Sequence, residues 1–355
     1  MRFGLVCRAY LFIAVGLAIS SAENVRQTIL THETSPLLSL HRKLVEIEST
    51  TYHEHDTGVF LVEYLRARNM TVDVQKVPTP EGSPSSNASN ILEELSSRFN
   101  IHAYHGDDST TRTLVTSHYD TVPPYWPYYR ANDGHELWGR GSVDAKAAVA
   151  AQIIAYVELR AEGRIESTDV GLLFVVGEET GGDGMRMINA LNLAWDAVIF
   201  GEPTEGKLAT GHKGLFQFVV RAVGKAAHSG YPWLGQSANS ILIPALAALE
   251  DLKTKLPSSD KYGETTLNIG MIRGGVAANV IAETAEAQVA VRLAAGTPAE
   301  IEKLVRDAVE HATRDIVKEH GSIEVLKTAP GYGPVDLDHD IEGFETITVN
   351  YGTDV

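Results

Sequence analysis

Cysteine is almost missing from this chain. The one cysteine among 355 residues is Cys7, so the chain cannot close a disulfide on itself, and paired-cysteine redox or cysteine-zinc chemistry is excluded. Positive charge is also short: 30 Lys and Arg stand against 46 Asp and Glu, a net charge of −16. Such a chain repels nucleic acid and anionic membrane surfaces, and neither is expected as a partner. Beyond its first residues, no apolar run approaches the ~20 residues that a membrane-spanning helix needs. No G-x-S-x-G elbow occurs, so Ser117-His118 and Ser142 do not read as parts of a serine-hydrolase triad. Internal repeats and low-complexity tracts are absent as well.

What is present is ordinary globular material, 44% hydrophobic and 21% charged, with length enough for two domains. The first 22 residues read as a secretory signal: Arg2 and Arg8, an apolar run over 9–19, then Ser20-Ser21-Ala22 at the cleavage positions. Cleavage there removes Cys7 and two Arg, taking the net charge from −16 to −16 − 2 = −18, and leaves a secreted protein without a membrane anchor. Two sequons, at Asn69 and Asn87, agree with secretion and mark both as glycosylation candidates.

Hydrophobic periodicity predicts helices over 34–50 and 57–69, a strand over 71–77 and a loop over 78–90. One pattern then recurs three times: a short β-type run followed at once by a polar turn. Residues 113–117 lead into His118-Tyr119-Asp120, 170–176 into Gly177-Glu178-Glu179, and 197–200 into Gly201-Glu202-Pro203. An Ala-rich helix over 145–161 lies between the first two runs, just after Asp144. The alternation predicts an α/β domain with a mostly parallel sheet flanked by helices. Sites in such sheets form beyond the carboxyl ends of the strands, where all three turns fall. From about residue 212 the order becomes strand 215–223, helix 236–256 with Pro244 inside it, strands 265–272 and 283–293, helix 298–320 and strand 322–327. That is an inserted α+β domain of split βαβ type. The expected organisation is signal 1–22, catalytic domain 23–212, inserted lid and dimerisation domain 213–328, and a return to the catalytic domain over 329–355.

Singly, each polar turn could be a solvated loop. Gathered at one edge, one His and several carboxylates make a ligand set for Zn²⁺ or a similar divalent ion. Without an ion, such clustered carboxylates would repel one another and take up protons.

Five motifs, SHYDTVP at 117–123, GRGSVDAK at 139–146, GEETGG at 177–182, GEPT at 201–204 and AHSG at 227–230, occur in an order that resembles one family. It is the two-zinc metallopeptidase family of aminoacylase, acetylornithine deacetylase, succinyl-diaminopimelate desuccinylase and glutamate carboxypeptidase, and the chain is similar to a secreted, fungal-type member. The resemblance implies two Zn²⁺ per subunit. It makes His118, Asp144 and Glu202 ligands of one ion and Asp144 and Glu179 ligands of the other, with Asp144 bridging. It makes Asp120 the partner of the second imidazole nitrogen of His118, and Glu178 the general base on a metal-bridging water. His228 would steady the oxyanion from across a homodimer interface in the lid domain, and Asn279 and Arg292 would bind a substrate carboxylate. The family's second zinc takes a further His near the C-terminus; the sequence is expected to stop short of it, and the context of His339 does not match that ligand. The implied reaction is hydrolysis of a peptide bond next to a free C-terminal carboxylate. The alternatives are an N-acyl-amino-acid amidohydrolase of aminoacylase or deacetylase type, or a non-catalytic metal-binding fragment.

Overall fold

The computed structural model describes residues 35–79, 98–317, 321–339 and 341–349. The expected signal over 1–22 and the sequon at Asn87 lie outside these residues. The chain divides into two compact units: the described residues up to Gly206 with 341–343, and residues 207–339 with 344–349.

The first unit opens with α1 (Pro36–Glu46), where proline occupies the first turn and the Ser35 side chain accepts from the Leu38 amide, one of the amides a helix start leaves unpaired. It is followed by α2 (His55–Arg66), β1 (Thr71–Lys76), β2 (Phe99–Tyr104), β3 (Thr113–His118), the hairpin β4 (Tyr129–Ala131) and β5 (Glu136–Trp138), α3 (Lys146–Ala161), β6 (Val170–Val175), the short α4 (Asp183–Met187) and β7 (Ala197–Phe200). The sheet order is β1-β2-β6-β3-β7. The β6–β3 and β3–β7 pairings are parallel, while β1–β2 and β2–β6 are antiparallel. The core sits between helices and sheet, with Leu44, Leu61, Leu65, Ile101, Val149, Ile153 and Phe174 fully buried.

Strand β2 has no counterpart among the elements that periodicity predicts. All six of its residues are buried, so FNIHAY lacks the in-out alternation by which a half-exposed strand is recognised. Its insertion next to β6 makes half of the sheet antiparallel, and the three strands that lead into the polar turns remain the parallel ones.

The second unit contains β8 (Leu208–His212), β9 (Gly214–Val223), α5 (Ala238–Leu252), the hairpin β10 (Ser258–Ser259) and β11 (Gly263–Glu264), β12 (Thr266–Gly274), β13 (Thr284–Leu293), α6 (Pro298–Thr313), β14 (Ser322–Lys327), β15 (Val335–Asp336) and β16 (Thr346–Val349). Its antiparallel sheet, ordered β12-β13-β9-β14, packs α5 and α6 over a core that includes Phe216, Leu249, Val291 and Ile301. This is the split βαβ arrangement. Pro244 lies inside α5, which runs on through it. A reciprocal Thr297–Glu300 capping box starts α6. That helix ends at Thr313, earlier than its apolar periodicity suggests. After residue 328 the chain puts β15 antiparallel and β16 parallel on the two edges of β8, satisfying its backbone groups, while 341–343 group with the first unit.

Candidate metal centre

Strand register brings the three turns together. In the parallel sheet His118 pairs with Val175, and Thr116 with Phe200, so the chain leaves β3, β6 and β7 at one level. The Gly201 amide donates to Thr116 O at 2.7 Å, and Ser117 Oγ donates to Gly201 O at 2.7 Å, tying the Glu202 turn to the end of β3. Asp144 arrives from the turn before α3.

His118 is fully buried, and its Nε2 faces the acids: Asp144 Oδ1 at 3.0 Å, with Glu178 Oε2 and Glu202 Oε1 each at 3.9 Å. The other ring nitrogen, Nδ1, lies 3.0 Å from the backbone carbonyl of Asp120 and 3.5 Å from its carboxylate Oδ1. Asp120 therefore orients the imidazole chiefly through its carbonyl. Its carboxylate is committed elsewhere, accepting from Thr51 Oγ1 at 3.0 Å and from the amides of Glu178 and Glu179 at 3.1 and 3.3 Å. Asp120 thus positions both the ring and the acidic turn.

Two sets of donor atoms lie within 4.8 Å of one another: His118, Asp144 and Glu202, and His118, Glu178 and Glu179. Burial, then repulsion among the neighbouring acids, lifts Glu202 to a pKa of about 8 and Glu179 to about 7, against the attraction of His118. Burial alone would lower His118, but hydrogen bonds to Asp120 and Asp144 and the nearby acids raise it well above its usual value. Buried Glu202 Oε1 has no hydrogen-bond partner. A divalent cation would relieve both the crowding and the unpaired oxygen, and the His-carboxylate set suits one, so these residues fit a metal.

Residues 210–317 match the peptidase dimerisation domain of the M20 peptidases. Over 343 residues the chain is 49% identical to a probable carboxypeptidase of Aspergillus flavus, covering 90% of this chain and 76% of that protein. The chain belongs to the M20 metallopeptidase family. A probable carboxypeptidase of Arthroderma gypseum is 44% identical, covering 92% of this chain and 77% of the relative. The fold is shared with human carnosine dipeptidase 1, at TM-score 0.66 and 16% identity over 94% of this chain and 88% of that one. It is shared too with an M20 metallo-carboxypeptidase of Sulfolobus solfataricus, at TM-score 0.64 and 16% identity over 90% and 86%. The chain is accordingly a metal-dependent hydrolase of the peptidase class.

The remaining catalytic and substrate-binding candidates of this M20 chain fall in its second unit. The bridge between His228 and Val280 and the bond from the Ser229 amide to Asn279 O bring His228 and Asn279 side by side on an exposed loop pair. His228 Nδ1 accepts from the Gly230 amide at 3.0 Å. Arg292 is half-buried on β13, opposite Thr266 and Leu215. His339 pairs through Nδ1 with Leu337 O and belongs to neither donor set. Asn69, in the first unit, is exposed in the turn after α2.

Several supports of the centre carry no sequence signal. Thr51, Glu54 and Arg98 belong to no motif, and only the packed structure shows what they hold. Lys146 ends a motif yet is 1% exposed, and its Nζ donates to the carbonyls of Leu44 and Ile47, both at 2.8 Å. Burial pushes its pKa down to about 7. Lys146→Met is expected to lower stability by about 1–3 kcal/mol, because both carbonyls lose their donor. Urea unfolding of the variant beside wild type checks this.

Proposed function

We propose that this M20 chain is a secreted, zinc-dependent carboxypeptidase that cuts the peptide bond next to a free C-terminal carboxylate, with Glu178 as its general base. The observation that carries the reading is the ring of acids around the inner nitrogen of His118, in a chain nearly half identical to proteins named probable carboxypeptidases.

His118, Asp144 and Glu202 would hold one ion, and Asp144 and Glu179 a second. Bound there, the metal makes water more acidic and polarises the scissile carbonyl. Glu178 supports the base role by its position: it is 9% exposed, its Oε2 lies 3.9 Å from His118 Nε2, and its backbone is pinned by Asp120. It takes a proton from the attacking water and passes it to the leaving nitrogen. His228 steadies the oxyanion, and Asn279 and Arg292 bind the terminal carboxylate, for which a guanidinium fork is suited. The matched dimerisation domain supports a homodimer through the second unit. Secretion rests on the leader over 1–22, and glycosylation at Asn69 on its exposed sequon.

The test is a comparison of three substrates: N-blocked dipeptides with a free C-terminus, the same peptides amidated, and N-acetyl amino acids. Amidation is expected to lower kcat/KM by about 10- to 100-fold, the effect of removing one charge-assisted hydrogen bond from the substrate carboxylate. Equal rates on free and amidated peptides would sink the carboxypeptidase reading. Faster turnover of the N-acetyl amino acids would replace it with an amidohydrolase.

A further inference from the structure

The turn that carries Glu178 and Glu179 is gripped from two sides. Asp120 holds both amides from one side. The turn then closes on itself, the Gly182 amide donating to Gly177 O at 2.8 Å and the Gly184 amide to Val176 O at 3.1 Å. On the other side stands Arg98, immediately before β2 and only 2% exposed. Its Nη1 and Nη2 bind the two carboxylate oxygens of Asp183 at 2.6 and 3.2 Å, the parallel fork geometry peculiar to arginine. Its Nη2 and Nε also reach Glu54 Oε1, at 3.0 and 3.2 Å, and its guanidinium lies 5.0 Å from the Tyr52 ring centre.

Both carboxylates therefore share one buried cation, and each belongs to a segment that supports the site. Glu54 closes the loop in which Thr51 holds Asp120. Asp183 begins α4, directly after the acidic turn. The space is filled: at Gly177, whose φ is +74°, an added Cβ would lie 1.8 Å from Asp183 Oδ1 and 2.3 Å from Arg98 Nη2. Asn100, two residues along, repeats the grip by accepting from the Val176 amide and donating to Gly184 O.

We propose that Arg98 is a positioning residue for hydrolysis, locking the Glu178–Glu179 turn through Asp183 while it anchors the Asp120-bearing side through Glu54. The inference rests on the reading of Glu178 as general base. Arg98 touches no reacting atom; it sets where the carboxylates of the turn stand when substrate binds. Lysine in its place would keep the charge but could not bridge both acids.

The test uses the full-length, metal-loaded protein and an N-blocked dipeptide with a free carboxylate, in the variants Arg98→Lys, Asp183→Asn and Glu178→Gln. Asp183 is partly exposed, and its amide leaves Arg98 paired with Glu54, so Asp183→Asn decides the matter where Arg98→Lys proves unstable. Both clamp variants are expected to lose about 10- to 100-fold in kcat, the effect of displacing a catalytic group by about an ångström, with KM within about twofold of wild type. Asp183→Asn should keep wild-type metal content and thermal midpoint. Wild-type kcat in both clamp variants, beside an inactive Glu178→Gln, would overturn the clamp and leave the base standing. A loss of activity that only tracks loss of metal would overturn it too. An active Glu178→Gln would instead sink the base assignment on which the clamp depends.

Discussion

Glu178→Gln is expected to lower kcat by about a thousandfold, within the range that a positioned general base contributes. The substitution keeps the side chain's size and removes only its ability to take a proton. Its backbone amide still donates to Asp120, so the turn keeps its place. The proposed metal ligands His118, Asp144, Glu179 and Glu202 are untouched. Metal content and thermal midpoint should therefore equal those of wild type, and KM should change little, since the removed interaction matters in the transition state rather than in binding. Steady-state kinetics with metal analysis on the same preparation checks all three. A variant that lost its metal along with its activity would assign Glu178 to the ligand set instead, alongside His118 and Glu179, with which its carboxylate is grouped.

Removal of the metal is expected to abolish hydrolysis and to destabilise the protein. An ion that binds only the folded state stabilises it by about 4 kcal/mol when free metal exceeds its dissociation constant a thousandfold. The chain's own charges make the loss depend on pH. Burial lifts Glu202 to about 8 and Glu179 to about 7, so in the metal-free protein the folded state holds protons that the unfolded state releases near pH 4–5. Raising the pH from 5 to 8 (roughly the span between unfolded and folded pKa values) then favours unfolding. The chelated protein should melt lower at about pH 8 than at about pH 6, in the span where Glu202 and Glu179 lose their protons. The loaded protein should show a weaker trend, because the cation satisfies these two carboxylates, while buried Glu54, lifted to about 7 and outside both donor sets, keeps its share. Thermal melts with and without chelator at both pH values check the prediction, and added zinc should restore activity and midpoint together.

Much of the centre is legible in the sequence because its residues follow three short strands. A β-type run that ends in a His or Glu turn signals both a strand and what lies at its tip, and parallel pairing puts those tips at one edge. The helices are legible from their apolar stripes, and α6 from its Thr297–Glu300 cap as well. What stays hidden is whatever carries no period. β2 is buried on both faces and has no alternation. Arg98 stands alone in sequence, and its two acids are 44 and 85 positions away. The division of labour within Asp120, carbonyl to the imidazole and carboxylate to the turn, depends on distances of a few tenths of an ångström that no spacing rule encodes. The course of the chain after residue 328 is hidden for a related reason, since short strands on β8 are fixed by long-range pairing rather than by local pattern.

The most direct measurement is the metal content per chain of the purified full-length protein, taken beside His118→Ala and with peptide hydrolysis assayed on the same samples. His118 faces Asp144 and Glu202 at the first proposed ion site, so its loss should empty that site. The expected result is bound zinc and hydrolysis in wild type, with metal content lowered and hydrolysis lost in the variant. Hydrolysis that persists in His118→Ala, or a wild-type protein that is active without any divalent metal, would contradict the assignment of this centre.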